Sequence, residues 1–348
     1  MFKENKMKKL LMIVPGFAVS VLIAIIARFI EGLIPIHIIG ASVIAMFIGM
    51  GINLIKRPNE LMSKGIKFTS KKVLKFAIIL LGASLDITTV LKVGKNSLFL
   101  MIFTLATCFG LGYVSGRIFK LNWKMSNLIS AGTGICGGSA IAAIAPVIEA
   151  DDIDIAFGMS ATFIFDMIMV VVFPILGRAM GLNDIMYGLW TGTAVNDTSS
   201  VVAAGFAYSE AAGDYATMVK LTRTLTIIPT VIIFAFINMH LKKKQKLTDG
   251  SEKINVNISS IFPWFILGFV AMSVLKSFGV IPLEVSKVMK DISKFLMVAA
   301  LAAIGLNTSF KDMKKAGPAP MIHGFVISLL VVLVSIGVIF LERQIGML

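Results

Sequence analysis

Apolar runs long enough to cross a membrane alternate with short polar connectors along almost the whole 348-residue chain. A hydrocarbon core about 30 Å thick takes about 20 mostly apolar residues per helical crossing, and a window of that length finds about eleven candidates. They fall near 11–29, 37–55, 73–92, 97–118, 126–148, 155–179, 187–206, 218–240, 260–279, 292–308 and 319–341. The pattern predicts an all-α, polytopic membrane protein. One run is conspicuously interrupted. AGTGICGGSA, at 131–140, sets four glycines, a threonine, a serine and a cysteine between NLIS and IAAIAPVI, which read as two halves of a single apolar helix.

Composition supports this reading, with 57% hydrophobic against 15% charged residues and a mean hydropathy of +0.90, outside the range of soluble domains. A net charge of +14 would suggest nucleic acid in a soluble protein. Here the basic residues gather in alternate connectors, so no nucleic-acid partner is expected and the charge reports orientation instead. Lys3, Lys6, Lys8 and Lys9, the connector IKRPNELMSKGIKFTSKK, the group Arg117, Lys120 and Lys124, KKKQK at 242–246 and KDMKK at 311–315 are placed on the cytoplasmic side. EADDID at 149–154 and YSEAAGD at 208–214 are placed opposite. Eleven crossings, with the N-terminus inside and the C-terminus outside, satisfy both sets; Lys92, Lys95, Lys276, Lys287 and Lys290 run against it. The first run is too long for a signal peptide and lacks its small-residue cleavage site, so it reads as a retained helix.

Cys108 and Cys136 are the only cysteines and both lie in apolar runs, which supports neither a disulfide framework nor a cysteine metal site. No P-loop, zinc motif, nucleophile elbow or dinucleotide fingerprint occurs, so neither an enzyme nor an ATP-driven pump is indicated and no cofactor or metal is expected. The longest polar stretch, 241–259, is a connector rather than a domain. Setting aside 1–35, with the first helix, leaves blocks 36–182 and 183–348 of about five crossings each. An odd number inverts the second block relative to the first, giving a 1 + 5 + 5 inverted repeat. In that register the interrupted helix 126–148 pairs with 292–308, whose own interruption is Gly305, Leu306, Asn307, Thr308 and Ser309. GTGICGGSAIAA from 132 also resembles GTAVNDTSSVVAA from 192, with Asp154 and Asp214 following at equal spacing. As crossings those two segments would run parallel, which excludes them as the inverted pair.

An unwound stretch in the membrane survives only inside protein or along a watery cavity. Its second half begins with free N–H groups whose partial positive charge attracts anions. Gly137, Gly138 and Ser139, with the Thr133 hydroxyl, are therefore candidate oxyanion ligands; tight helix packing by small residues is the alternative. Asn196, Asp197, Thr198, Ser199 and Ser200 cannot all share one helix face, so some should line a cavity. Asp166, in FIFDMIM one turn beyond Thr162, is a mid-membrane carboxylate and a candidate proton carrier, or a neutral acid bonded to a neighbouring helix. Arg223, in KLTRTLT with Lys220, could clamp an anion through its fork or snorkel to the interface. His37 and His323 are lone histidines and are not expected to be ligands.

The segments GTGICGGSAIAAIAPVIEADD, GLWTGTAVNDTSSVVAAGF and YATMVKLTR, with LLGASLD upstream, resemble those of the YeiH-like bacterial membrane proteins, a family labelled as sulfate exporters. The resemblance covers nearly the whole chain. It implies a fold related to sodium/proton antiporters and bile-acid symporters, in which two discontinuous helices cross at mid-membrane in a core that moves against a panel. It would set Gly134–Ser139 facing Gly305–Ser309, put Asp166 on the helix that often carries the coupling carboxylate, and imply a homodimer through the panel helices. Two departures stand out: Gly134 where serine is common, and NDTSS where many relatives carry a His-acid-Val-Ala-Gln pattern.

The expectation is a multi-pass protein of the bacterial inner membrane that exports a small inorganic or organic anion, sulfate or an organosulfonate, by alternating access coupled to protons or sodium. Thr133, Gly134, Cys136, Gly137, Gly138, Ser139, Asn196, Thr198, Ser199, Arg223, Asn307, Thr308 and Ser309 would bind substrate, with Asp166 and Asp197 as coupling carboxylates. A monovalent cation/proton antiporter is the alternative within transport, and a membrane solute receptor or scaffold the alternative outside it.

Overall fold

The computed structural model describes residues 13–33, 41–245, 264–308 and 318–346, and every regular element among them is helical. The N-terminal lysines, His37, Ser309 and the lysines at 311–315 lie outside the described residues. In chain order come α1 (Val14–Leu33), α2 (Ala41–Ile55), α3 (Glu60–Phe68) and α4 (Leu74–Gly82), then α5 (Ile87–Ala106) and α6 (Gly112–Ile118). Wide π turns, Thr69–Val73 and Thr107–Leu111, join α3 to α4 and α5 to α6 without breaking either rod. The chain continues through α7 (Trp123–Ala131), α8 (Gly138–Ile144), α9 (Asp152–Ala179), α10 (Asp184–Ala194), α11 (Thr198–Tyr208), α12 (Glu210–Leu225) and α13 (Ile227–Gln245). It ends with α14 (Trp264–Ser277), α15 (Leu283–Asn307) and α16 (Pro318–Gln344).

Among the described residues five helical stretches are long and apolar enough to span a bilayer: Val14–Leu33, Ile87–Ile118, Ile153–Ala179, Glu210–Leu241 and Pro318–Gln344. Shorter apolar helices, Val43–Ile55 and Trp264–Ser277, accompany them. Large apolar side chains such as Phe29, Leu91, Ile102 and Ile118 stay exposed on the outside, as expected of a bundle whose solvent is lipid.

One group of helices is built on small residues. α2 and α15 approach so closely that a Cβ at Gly305 would sit 2.1 Å from the Met46 carbonyl oxygen, and one at Gly49 would sit 2.4 Å from that of Ala302. This is the close backbone packing that small residues permit between membrane helices. It also explains the polar-looking tail of α15. The helix runs unbroken to Asn307, the Asn53 side-chain amide donates to the Leu306 carbonyl (2.6 Å), and the Thr308 hydroxyl bonds back to Ile304 (2.8 Å). The expected interruption at 305–308 is therefore a packing glycine followed by a helix end.

The interrupted run at 126–148 does not run straight. It is a hairpin. Asn122 caps α7 by accepting the Met125 N–H, and its amide donates to Asp154 Oδ1 at the start of α9 (2.8 Å). Lys124, in the first turn of α7, donates from Nζ to the Glu149 carbonyl beyond the end of α8 (2.6 Å). Leu128 of α7 and Ile141 of α8 sit side by side, each 3.5 Å from where a Cβ of Gly158 on α9 would lie. A straight helix of this length would hold its ends roughly 30 Å apart. The basic group at 117–124 and EADDID therefore share one end of the molecule, contrary to the charge-based placement on opposite sides. Hydropathy registers only that a run is apolar and long, and it cannot see the chain turn back.

A second hairpin follows. Asn183 caps α10, the Ser209 hydroxyl donates to Asp184 Oδ1 (2.5 Å), Tyr187 Oη donates to the Ala204 carbonyl (3.0 Å), and the Tyr187 and Tyr208 rings stack at 3.8 Å. Its base lies at the other end of α9, where Arg178 Nη2 donates to the Ala207 carbonyl (3.1 Å). The two hairpins thus enter from opposite ends of α9 and point at each other. The likeness between the segments at 132 and 192 falls on these two tips. A hairpin crosses nothing, so the objection that the segments would run parallel disappears.

Candidate functional site

The tips meet halfway along α9. In the first, α7 runs into a π turn, Gly132–Cys136, and the chain then breaks at Gly137 with φ 64° and ψ −134°, a conformation that excludes most side chains. In the second, Val195 and Asn196 leave the helix, and Asp197 caps α11 by accepting the Ser199 N–H (2.8 Å) and the Ser199 hydroxyl. A Cβ at Gly137 would come within 3.1 Å of Asp197 Cβ. The left-handed glycine thus turns the first tip and also leaves room for the second.

Asp166 stands beneath this contact, buried on α9. Each of its oxygens accepts one backbone N–H from the second tip, Oδ1 from Asn196 (2.8 Å) and Oδ2 from Asp197 (2.9 Å). The Asn196 amide also reaches the Thr162 carbonyl (3.5 Å), one turn earlier on α9.

Two cations from α12 lie on the opposite flank. Lys220 and Arg223 are both 0% exposed. Lys220 Nζ donates to Ile135 O (2.8 Å) in the first tip and to Val195 O (3.0 Å) in the second. Arg223 donates from Nε to Gly134 O (2.6 Å), from Nη2 to Thr133 O (2.7 Å) and from Nη1 to Thr193 O. Each breaking helix leaves carbonyls with no partner four residues on, and the partial negative charge of such an end favours a cation. Lys220 and Arg223 supply that charge to both tips together. From its place in the sequence Arg223 is expected near a membrane boundary, as an anion clamp or a snorkelling anchor. In the structure each of its three guanidinium nitrogens donates to a backbone oxygen, two in the first tip and one in the second, so it ties the hairpins to each other. Lys220, adjacent in the same motif, was not among the expected site residues; its spacing one turn from Arg223 was the available signal.

The expected residues therefore divide. Thr133, Gly134, Cys136, Gly137, Asn196, Asp197, Ser199, Asp166 and Arg223 converge at the tips. Gly138, Thr198 and Ser139 form the accessible rim, the first two half-buried and Ser139 exposed. Asn307 and Thr308 close the C-terminal end of α15, Asn307 exposed and Thr308 buried. Thr133 Oγ1 and Asn196 Oδ1 are buried with no hydrogen-bond partner, so the tips hold oxygens with unused accepting capacity. Among the described residues no group of His, Cys, Asp and Glu is arranged to hold a metal ion.

Away from the tips, His323 is buried between the Ser115 hydroxyl at Nδ1 (3.0 Å) and that of Ser126 at Nε2 (3.2 Å), a structural role. Near the base of the second hairpin, α12 is tied to α15 by Lys290 against Glu210 (2.6 Å) and Asp214 (2.8 Å), and by Lys294 against Glu210 (2.7 Å).

The chain matches the family described as Conserved hypothetical protein 698 over residues 15–324. A UPF0324 membrane protein of Clostridium tetani is 56% identical over 326 residues, covering 92% of this chain and 94% of the relative. UPF0324 membrane proteins of Streptococcus mutans and Streptococcus agalactiae are each 39% identical, over 330 and 332 residues, with 92% and 93% of this chain and 95% and 96% of the relatives covered. Those matches run through both hairpins and the helices that flank them, and the chain belongs to this family of UPF0324 membrane proteins.

Proposed function

We propose that the protein is a secondary transporter of a small anion, with sulfate and organosulfonates as the first candidates. It would work by alternating access in the bacterial plasma membrane, coupled to a proton or sodium gradient. The observation that carries this reading is the meeting of two hairpins from opposite ends of α9 beside four ionisable side chains, Asp166, Asp197, Lys220 and Arg223. Irregular backbone at membrane depth is tolerated only where protein or a watery cavity satisfies it, and charges there are costly enough to be retained for a task. Discontinuous helices at the midplane are how many transporters present helix ends to solute and coupling ion.

In this reading the solute docks at the rim, where Gly138, Ser139 and Thr198 open the second arms of the two hairpins. Asn307 and Thr308, which end α15 beyond the contact of Gly305 with α2, are left out of the site in this reading. With 123–144 and 184–208 as re-entrant hairpins, the chain crosses the bilayer about nine times rather than eleven. The N-terminus stays cytoplasmic, and the blocks 36–182 and 183–348 hold one hairpin each. EADDID joins the cytoplasmic face, whose basic excess survives.

Purified protein in liposomes tests the proposal. Saturable, gradient-driven movement of labelled sulfate or ethanesulfonate is expected, and it should be abolished in Asp166→Asn protein that still folds. Ligand binding without flux would instead indicate a receptor.

One observation favours a second reading. Asp197 uses Oδ2 to cap α11, while Oδ1 of this half-buried residue faces Gly137 and takes no hydrogen bond from the described residues. A carboxylate oxygen so placed could take a monovalent cation, as a cation/proton antiporter requires. Proton release driven by sodium or potassium and indifferent to sulfate would establish that reading and remove the anion.

A further inference from the structure

Asp166 makes its two hydrogen bonds to main-chain N–H groups of a tip that its own helix does not belong to. Asn196 and Asp197 are two of the three residues between α10 and α11, so the carboxylate holds the turn of the second hairpin by its backbone. The cations that could have paired with Asp166 are committed elsewhere, Lys220 to Ile135 and Val195, and Arg223 to Thr133, Gly134 and Thr193. A carboxylate accepts through both oxygens, whereas a carboxylic acid has one oxygen that carries hydrogen and presents a donor. Adding a proton therefore sets an O–H against one of the two N–H groups, and a buried donor without an acceptor is costly.

We propose that Asp166 is a proton-operated catch on the tip of the second hairpin: ionised, it holds Asn196 and Asp197 in place, and protonated, it releases them. This rests on the transport reading and gives it a coupling step, because the released segment carries Asp197 and Thr198 at the solute rim. The charged groups around Asp166 are Asp197 on the tip and Lys220 and Arg223 on α12, and both cations also face Cys136 in the π turn. α16, packed on α9 through Phe165 and Phe325, turns His323 toward Ser115 and Ser126 instead. Protonation of Asp197 would act in the same direction by weakening its cap on Ser199, so the test must separate the two carboxylates.

The experiment uses full-length protein carrying Thr198→Cys, with the rate of the unsubstituted protein, whose Cys108 and Cys136 are buried, subtracted at each pH. The rate of labelling by a hydrophilic methanethiosulfonate, corrected for the reagent's intrinsic pH dependence on a free thiol, is followed between pH 5 and 9. Losing one hydrogen bond to a charged acceptor corresponds to roughly a tenfold change in tip opening, so labelling should rise about that much as pH falls. Asp166→Asn keeps one acceptor oxygen and sets an NH2 group against the other N–H, so it should label fast and without pH dependence. Asp166→Glu keeps two acceptor oxygens and should retain the dependence with a displaced midpoint, and Asp197→Asn should retain it as well. Hydrogen exchange of the peptide spanning 194–200 in the unsubstituted protein, corrected for intrinsic exchange, gives the same comparison should Asp166→Asn fail to fold. Labelling or exchange independent of pH in the parent, a pH dependence surviving unchanged in Asp166→Asn, or its loss in Asp197→Asn alone overturns the proposal. Flux without a pH-dependent tip would sink the catch and leave transport standing, while a pH-dependent tip without flux would do the reverse.

Discussion

Gly137 and Asp197, the turning points of two hairpins that enter from opposite ends of α9, lie in contact: a Cβ on the glycine would come within 3.1 Å of the aspartate's. Gly137 also holds φ 64° and ψ −134°. Both demands fall on one residue. Gly137→Ala should cost about 1–3 kcal/mol from backbone strain, with further loss from crowding Asp197. Thermal unfolding in detergent should show a lower midpoint, and flux should fall more than the folded fraction does. An alanine variant with unchanged stability and transport would mean that the tips do not touch in the working protein.

Arg223 should behave as a tie between hairpins. A lysine at 223 cannot reach three carbonyls in the fixed fork that the guanidinium provides. Each buried carbonyl left without a donor costs about 1–3 kcal/mol. Arg223→Lys and Lys220→Met should both lower the unfolding midpoint in the absence of any solute. A variant that unfolds normally and only weakens solute affinity would restore Arg223 to the role of substrate ligand.

The hairpins make a topological prediction. Lys120→Cys and Ala150→Cys should react with an impermeant thiol reagent from the same side of a sealed vesicle. Met180→Cys and Ala211→Cys should react from the other. Labelling of positions 120 and 150 from opposite sides would convert the first hairpin back into a single crossing.

Gly305 and Asn307 should part company under mutation. With the Met46 carbonyl 2.1 Å from the added atom, Gly305→Ala forces α2 and α15 apart, and overpacking of this kind costs about 1–3 kcal/mol. Asn307→Ala, at an exposed helix end, should leave both unfolding and flux within error of the parent. Loss of flux in a stable Asn307→Ala protein would return 305–308 to the solute site.

That this chain belongs in a bilayer, roughly where its helices lie, that 131–140 interrupts one of them and that 196–200 cannot hide on one helix face are all legible in the residues alone. Those properties are local. Apolar length, glycine content and runs of polar side chains can be read one window at a time, and Asp166, Asp197 and Arg223 stood out because ionisable groups in apolar runs are rare. The tertiary structure alone decided which interruptions meet. Whether an apolar run crosses or doubles back depends on a few dihedral angles at Gly137 and at Val195–Asp197, and on contacts such as Lys124 with Glu149 that join residues far apart in sequence. Hydropathy is blind to both. For the same reason the likeness between 132 and 192 looked like a parallel pair until the chain was seen to turn back, and Gly305 looked like a break when it marks the closest approach of α2 and α15. The partners of Arg223 were equally out of reach of a local reading. A buried guanidinium takes whatever acceptors its surroundings leave unpaired, and here those are the carbonyls of two broken helices.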